Sequence, residues 1–221
     1  MNFEAVLKIG GSLSRGQSLA PLCHEIGRLG VRHRLLVVPG GGDFADAVRE
    51  HYRRYRLSET TAHAMALLAM DQYGWLLSDL IPASDVVRDI LSARETAASG
   101  RVPILLPATL LIQTDPLPHS WQVTSDSIAA WIAGLTGTSR LVLLKDVDGL
   151  LSDPSRSGTV EVLPAVSVGE LMNPRGGVDE YLAVLLKSLD LETWVINGQL
   201  TERLVELLDS GQTLGTRISR E

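Results

Sequence analysis

The 221-residue chain has one cysteine, Cys23. No disulfide framework and no cysteine-based zinc site can therefore form within a single copy. Basic residues are not in excess: 20 Lys and Arg stand against 26 Asp and Glu, a formal net charge of −6. Proteins that track a nucleic-acid backbone are usually basic, so nucleic acid is not an expected partner. No apolar run is long enough to span a membrane, so a membrane is not an expected partner either. The N-terminal stretch contains Glu4 and Lys8 and lacks a signal-peptide pattern. The expectation is a reduced, cytoplasmic enzyme.

Several catalytic motifs are also missing. The chain has no Gly-x4-Gly-Lys-Ser/Thr loop and no Gly-x-Gly-x-x-Gly turn. It has no pair of histidines at helical metal spacing and no Gly-x-Ser-x-Gly elbow. These absences remove the common NTPase, dehydrogenase, metalloprotease and α/β-hydrolase readings. No internal repeat, low-complexity tract or linker divides the chain. Its length suits one large α/β domain, and its hydrophobic content of 45% is ordinary for a soluble globular protein.

What is present starts with Ala5-Val6-Leu7-Lys8-Ile9, a short apolar run followed by Gly10-Gly11-Ser12. Such a run bounded by glycines reads as a buried strand of a parallel sheet. Lys8 interrupts it. A buried, unpaired ammonium is strongly disfavoured, so Lys8 either snorkels to water or serves a ligand at the carboxyl edge of the sheet. The glycines allow close backbone approach to an anion, which makes Lys8 to Ser12 a candidate phosphate cradle. A second strand, 34–38, runs into Pro39-Gly40-Gly41-Gly42-Asp43 and then a helix over 44–52. Strand, triple glycine and helix together form an anion-binding arrangement.

The rest alternates in the same way. Helices are expected over 18–29, from a Ser58 cap through residue 80, and over 85–93, 168–172, 178–189 and 200–208. Strands are expected over 102–106, 141–144, 160–163 (one arm of a hairpin) and 193–196, with an edge strand at 216–219. Residues 108–119 read as loop. Thr124-Ser125-Asp126-Ser127 opens a helix running to residue 134. Asp126 there is either matched to the helix dipole or an organiser of phosphate-handling lysines. Lys145-Asp146-Val147-Asp148-Gly149-Leu150 ends a strand, with Asp153-Pro154 just beyond. His63 and Asp71 lie on the long helix and meet substrate only if they face the crevice. The basic stretch 51–56 is either a phosphate clamp or a solvated helix end. The pattern predicts a three-layer α/β/α sandwich with a largely parallel central sheet.

The order of these elements resembles the amino acid kinase superfamily. The resemblance rests on Lys8-x-Gly10-Gly11-Ser12, on Gly40 to Gly42, on Thr124 to Ser127, and on Lys145 to Leu150 ahead of Asp153-Pro154. It implies a single domain over 1–221, with an acceptor lobe to about residue 120 and a nucleotide lobe beyond it. It implies ATP as phosphoryl donor and Mg²⁺ held mainly by the ATP phosphates, with no protein metal ligands. Lys8, Asp126 and Lys145 would be the catalytic set, with Asp126 holding the lysines. Gly10, Gly11, Ser12, Asp146, Asp148, Gly149, Leu150, Asp153 and Pro154 would meet ATP. Gly40, Gly41, Gly42, Asp43, His63 and Asp71 would meet the acceptor. One departure stands out: Tyr181 occupies the place of a lysine that several members carry after Gly-Gly. That leans toward an acceptor already bearing phosphate, with Lys145 compensating.

Residues 58–74, 121–127, 178–182 and 215–218 further resemble the small branch that includes the methanofuran-biosynthesis kinase. That resemblance implies a small phosphorylated acceptor, aminomethyl-furanmethyl phosphate, and a diphosphate product. UMP, isopentenyl phosphate or a carboxylate are alternative acceptors, and a non-catalytic storage protein on the same fold is the alternative class. The Ala- and Met-rich helix 60–80 is the expected surface of a homo-oligomer.

Overall fold

In the computed structural model, which describes residues 2–152, 160–171 and 177–220, the first apolar run is strand β1 (Ala5–Ile9). Every residue of it is buried, because it lies mid-sheet between two parallel neighbours, β2 (Leu35–Pro39) and a later strand. The further strands are β3 (Ser84–Val87), β4 (Val102–Leu105), β5 (Arg140–Lys145), β6 (Ala165–Ser167), β7 (Glu192–Asn197) and β8 (Thr216–Ser219). They form one sheet in the order β3-β4-β2-β1-β5-β7-β8-β6. Among the described residues the pairings between these strands are parallel except β7 with β8.

Side chains alternate across this sheet, so two cores form. Val6, Leu36, Val38, Leu141 and Leu143 face one layer, which includes α6 (Ser125–Thr136). Ala5, Leu7, Ile9, Val37, Val142 and Leu144 face the other, packing on α1 (Leu19–Gly30). The long helix α3 (Glu59–Leu80) contributes to both: Leu67 and Met70 to the first, Tyr73 and Leu77 to the second. The three-layer α/β/α sandwich with a largely parallel sheet is the observed fold.

Local signals explain much of this. Ser58 caps α3, its hydroxyl accepting from Thr61 N at 3.2 Å. Helix α2 (Gly42–Tyr55) starts within the triple glycine. Five expectations are corrected. The strand expected over 160–163 reduces to a single antiparallel bridge between Leu151 and Val162, with β6 beyond it. Residues 85–93 are not a helix: 84–87 form edge strand β3, paired with β4, and α4 (Ile90–Ala98) begins only after Asp89 caps it. The valines at 86 and 87 suit a pleated surface, and pairing outweighs helical spacing. Residues 108–119 are not all loop, since α5 (Ala108–Thr114) follows Pro107. The short helix α7 is Val168–Leu171. The helix expected over 178–189 shrinks to α8 (Leu182–Leu186), because Asp179 turns the chain and accepts from Leu182 N at 2.9 Å. Strand β8 is not an edge strand, as β6 covers its outer side. Helix α9 (Thr201–Ser210) runs close to expectation.

Candidate active site

Two strand ends and one helix start build the centre of the site. Along β1, Lys8 shares the face of Val6; along β5, Lys145 shares the face of Leu141 and Leu143. Both ammonium groups are thereby aimed at the start of α6, where Asp126 sits. Asp126 Oδ1 lies 2.9 Å from Lys8 Nζ, and Asp126 Oδ2 accepts from Lys145 Nζ at 2.7 Å. Lys8 and Asp126 are only 4% and 2% exposed, so this ion pair is desolvated.

Burial works against both charges, and the outcome differs between them. For Asp126, burial is outweighed by the two lysines, and its carboxyl is held well below the ordinary range. For Lys8, burial dominates, Asp126 opposes it, and Lys145 adds repulsion, so the ammonium is pushed down. Two ammonium groups held together by Asp126 thus bring positive charge to the carboxyl edge of the sheet. Such a charge favours a phosphoryl group.

The two glycine turns meet above this centre. A Cβ on Gly11 would stand 2.3 Å from Gly42 N, and one on Gly40 would stand 2.8 Å from Gly11 N. Backbone therefore packs on backbone, and glycine is required for the turns to touch. Gly10 N donates to Leu144 O and Gly40 N to Ile9 O, each at 2.8 Å. These two N–H groups are held by the strands, which corrects the expectation that they cradle phosphate. Gly11, Gly41 and Gly42 instead line a cavity of about 310 Å³. Gly42 and Asp43 open α2, whose first amides lack intrahelical acceptors.

The cavity runs from the glycine turns between α2, α3 and the start of α6. Its walls include Leu67, Met70 and Trp121, with Arg15, Asp46, Arg49 and Glu59 as charged members. The Arg49 guanidinium lies 4.7 Å from the Trp121 ring centroid, and Tyr52 meets Trp121 edge-on at 5.5 Å. Arg49 also pairs with Asp46 at 3.1 Å, and Arg15 reaches both Asp43 and Asp46. His63 lines the cavity and stacks on His119 at 4.5 Å. Burial and that neighbour push its imidazole below the ordinary value.

The remaining expected residues divide. Ser12 lines the cavity and its hydroxyl donates to Asp146 Oδ1 at 2.8 Å, joining the two strand-end loops. Asp148 accepts from Asn197 and Arg203, at 2.9 and 2.8 Å. Gly149 packs under Thr216, where a Cβ would stand 2.5 Å from Oγ1, and Leu150 is core. Asp43 pairs with Arg15 at 3.0 Å. Asp71 does not line the cavity: its carboxylate accepts from Ala108 N at 3.0 Å and so tethers α5. Asp153 and Pro154 lie outside the described residues.

Sequence reading overlooked Arg15, Asp46, Arg49 and Glu59. The signal for two of them was available, because residues four and seven after Gly42 share its helix face. It also overlooked Asp179. That half-buried carboxylate accepts from Thr124 N at 2.9 Å, Thr124 Oγ1 at 2.8 Å, Ser127 N at 2.9 Å and the Ser127 hydroxyl. Its partners lie 52 and 55 residues away, so no local pattern announces it.

A desolvated lysine–carboxylate–lysine cluster beneath touching glycine turns, on a mostly parallel sheet, defines a phosphate-handling α/β protein. The model of the amino acid kinase family matches residues 4–191, and the chain belongs to that family as a phosphotransferase. It is 29% identical over 217 residues to [5-(aminomethyl)furan-3-yl]methyl phosphate kinase of Methanocaldococcus jannaschii, covering 96% of each chain. It is 28% identical to acetylglutamate kinase of Nocardia farcinica over 61% of this chain and 43% of that one. Its fold matches uridylate kinase of Archaeoglobus fulgidus with a TM-score of 0.76, at 22% identity, over 99% of this chain and 100% of the other.

Proposed function

We propose that the chain transfers the γ-phosphate of ATP to a phosphate-bearing acceptor, [5-(aminomethyl)furan-3-yl]methyl phosphate, giving the diphosphate. The observation that carries this reading is the cavity. It joins an apolar, aromatic wall (Leu67, Met70, Trp121) to cations (Arg15, Arg49) and carboxylates (Asp46, Glu59) beside the glycine turns. A flat ring with a phosphate at one end and an ammonium at the other is complementary to such a lining. The full-length similarity to the Methanocaldococcus jannaschii kinase supports the same acceptor.

Phosphoryl transfer needs in-line positioning and cations around the equatorial oxygens more than covalent chemistry. Lys8 and Lys145 supply those cations, and Asp126 sets their spacing. Gly11, Gly41 and Gly42 let the acceptor phosphate approach. Its oxygen is already anionic, so no strong base is required. Asp146 to Leu150 lie on the nucleotide side, where Ser12 and Asp146 join the two halves. Asp126, the central carboxylate, is committed to lysines, which fits Mg²⁺ carried on ATP oxygens, where it would neutralise phosphate charge. In this reading residues 1–120 and 121–221 form the acceptor and nucleotide lobes. The enzyme is cytoplasmic, and exposed Leu68, Trp75 and Leu76 on α3 form the contact between its copies.

The test is ADP release with Mg-ATP against the furan phosphate, UMP, isopentenyl phosphate, N-acetylglutamate and aspartate. Turnover on the furan phosphate is expected, abolished by Lys8→Ala. Arg49→Met should raise the acceptor KM about tenfold while leaving the ATP KM unchanged. Turnover confined to another acceptor would overturn the assignment, and tight ATP binding without turnover on any acceptor would overturn the reaction.

A further inference from the structure

We infer that Asp179 is a positioning residue for phosphoryl transfer, capping α6 from a distant segment and thereby setting Asp126 against Lys8 and Lys145. The inference rests on Lys8 as the phosphoryl-stabilising cation and is independent of which acceptor is used.

Thr124 stands at the N-cap of α6, a residue type that ordinarily caps with its own hydroxyl. Here it makes no such bond and donates its hydroxyl to Asp179 Oδ2 at 2.8 Å. The same oxygen accepts from Thr124 N and Ser127 N, each at 2.9 Å. Asp179 Oδ1 accepts from the Ser127 hydroxyl and, at 2.9 Å, from Leu182 N. One carboxylate thus closes the starts of both α6 and α8. Asp126 lies inside that closed turn, between Thr124 and Ser127. Tyr181 N also donates to Gln122 O at 3.3 Å, so the 179–181 segment is stitched along the approach to α6.

A capping hydroxyl would satisfy the helix equally well. A carboxylate does something more, because it brings a second negative charge to a site with two lysines. The charged groups acting on Lys8 are Asp126, Lys145 and Asp179, and Asp179 favours its ammonium form. Asp179 in turn feels burial and the Asp126 charge, which push its carboxyl up against the five donated hydrogen bonds. The chain therefore places an anion where a plain cap would suffice, at a distance from which it steadies the phosphoryl-binding cation. Removing it should both loosen Asp126 and make Lys8 easier to deprotonate.

The test compares Asp179→Asn, Asp179→Glu and Ser127→Ala by kcat, KM and pH profile, with circular dichroism and thermal unfolding as folding controls. Asparagine retains a capping oxygen, so Asp179→Asn should fold. Its kcat should fall about 10- to 100-fold with the acceptor KM little changed. The alkaline limb of its kcat/KM profile should move down by about one pH unit, since losing an anion favours neutral Lys8. Asp179→Glu and Ser127→Ala keep every charge near Lys8, so both should lower kcat without moving that limb. Binding of a non-hydrolysable ATP analogue, measured by calorimetry, should weaken in Asp179→Asn with the same pH dependence. A cap that is merely structural would change the melting temperature and leave kcat per folded molecule and the pH limb at wild-type values. That result would overturn the inference, as would an unchanged kcat in Ser127→Ala together with an unmoved limb in Asp179→Asn. If Lys8→Ala retains activity, the reading of the site fails. If Lys8→Ala is inactive and Asp179→Asn behaves as wild type, this inference alone fails.

Discussion

Replacing Lys8 with methionine should nearly abolish activity and leave the protein as stable as before. Removing one partner of a buried ion pair usually costs about 3–5 kcal/mol, because the other charge is left buried and alone. That arithmetic does not apply to Lys8. Asp126 keeps Lys145 at 2.7 Å, and Asp179 keeps its donors, so no charge loses its last partner. The change also takes a desolvated ammonium, 4% exposed, out of the sheet and relieves its repulsion with Lys145. Methionine fills the same channel with an unbranched apolar chain of similar length. The expected change in unfolding free energy is between a loss of about 1 kcal/mol and a gain of about 2 kcal/mol. The expected loss of kcat is about 10²- to 10³-fold, the scale of removing one preorganised charge from a transition state. Urea unfolding followed by circular dichroism gives the first number and ADP release the second. A loss of 3 kcal/mol or more, on the scale of an orphaned buried charge, would refute the reasoning and make Lys8 a structural partner of Asp126.

The remaining perturbations run the opposite way and cost stability. Asp126→Asn leaves two ammonium groups facing each other and should cost about 3–5 kcal/mol at neutral pH. The wild-type carboxyl is held below its free value of 3.8, so its stabilisation is complete above that pH and is lost as pH falls below it. The acid limb of the stability curve should therefore flatten in Asp126→Asn, as checked by urea midpoints from about pH 5 down to about pH 2. Gly11→Ala puts a methyl 2.3 Å from the backbone of Gly42 and should cost about 1–3 kcal/mol, with kcat falling as the turns separate. Gly100→Ala, where nothing lies within 4 Å, pays only for its positive φ and should cost about 1–2 kcal/mol with kcat unchanged. Equal kcat losses in the two alanine variants would refute the role given to turn contact.

The sequence by itself determined the layers and offered the candidate residues of the centre. Apolar runs ended by glycine mark buried parallel strands, and helical spacing between them marks the covering layers, because period and burial are local properties of the chain. Lys8 was legible as a lysine inside a buried strand, whereas Asp126 at a helix start and Lys145 at a strand end break no local rule and were joined to it only by the resemblance to the amino acid kinase superfamily. Tertiary structure alone decided how those residues meet. The pleat turns both lysines to one face, and pairing of β1 with β5 brings them to a single carboxylate. It also decided which polar groups are already taken. Strand carbonyls hold Gly10 N and Gly40 N, Ala108 N holds Asp71, and α6 holds Asp179. Arg49 and Trp121, 72 positions apart in the chain, stack on one another in the cavity wall only once the fold brings α2 beside the segment ahead of α6. Hydrogen bonds and ring contacts between distant segments leave no periodic trace in a sequence, since each depends on two backbones being brought together by cores elsewhere in the fold.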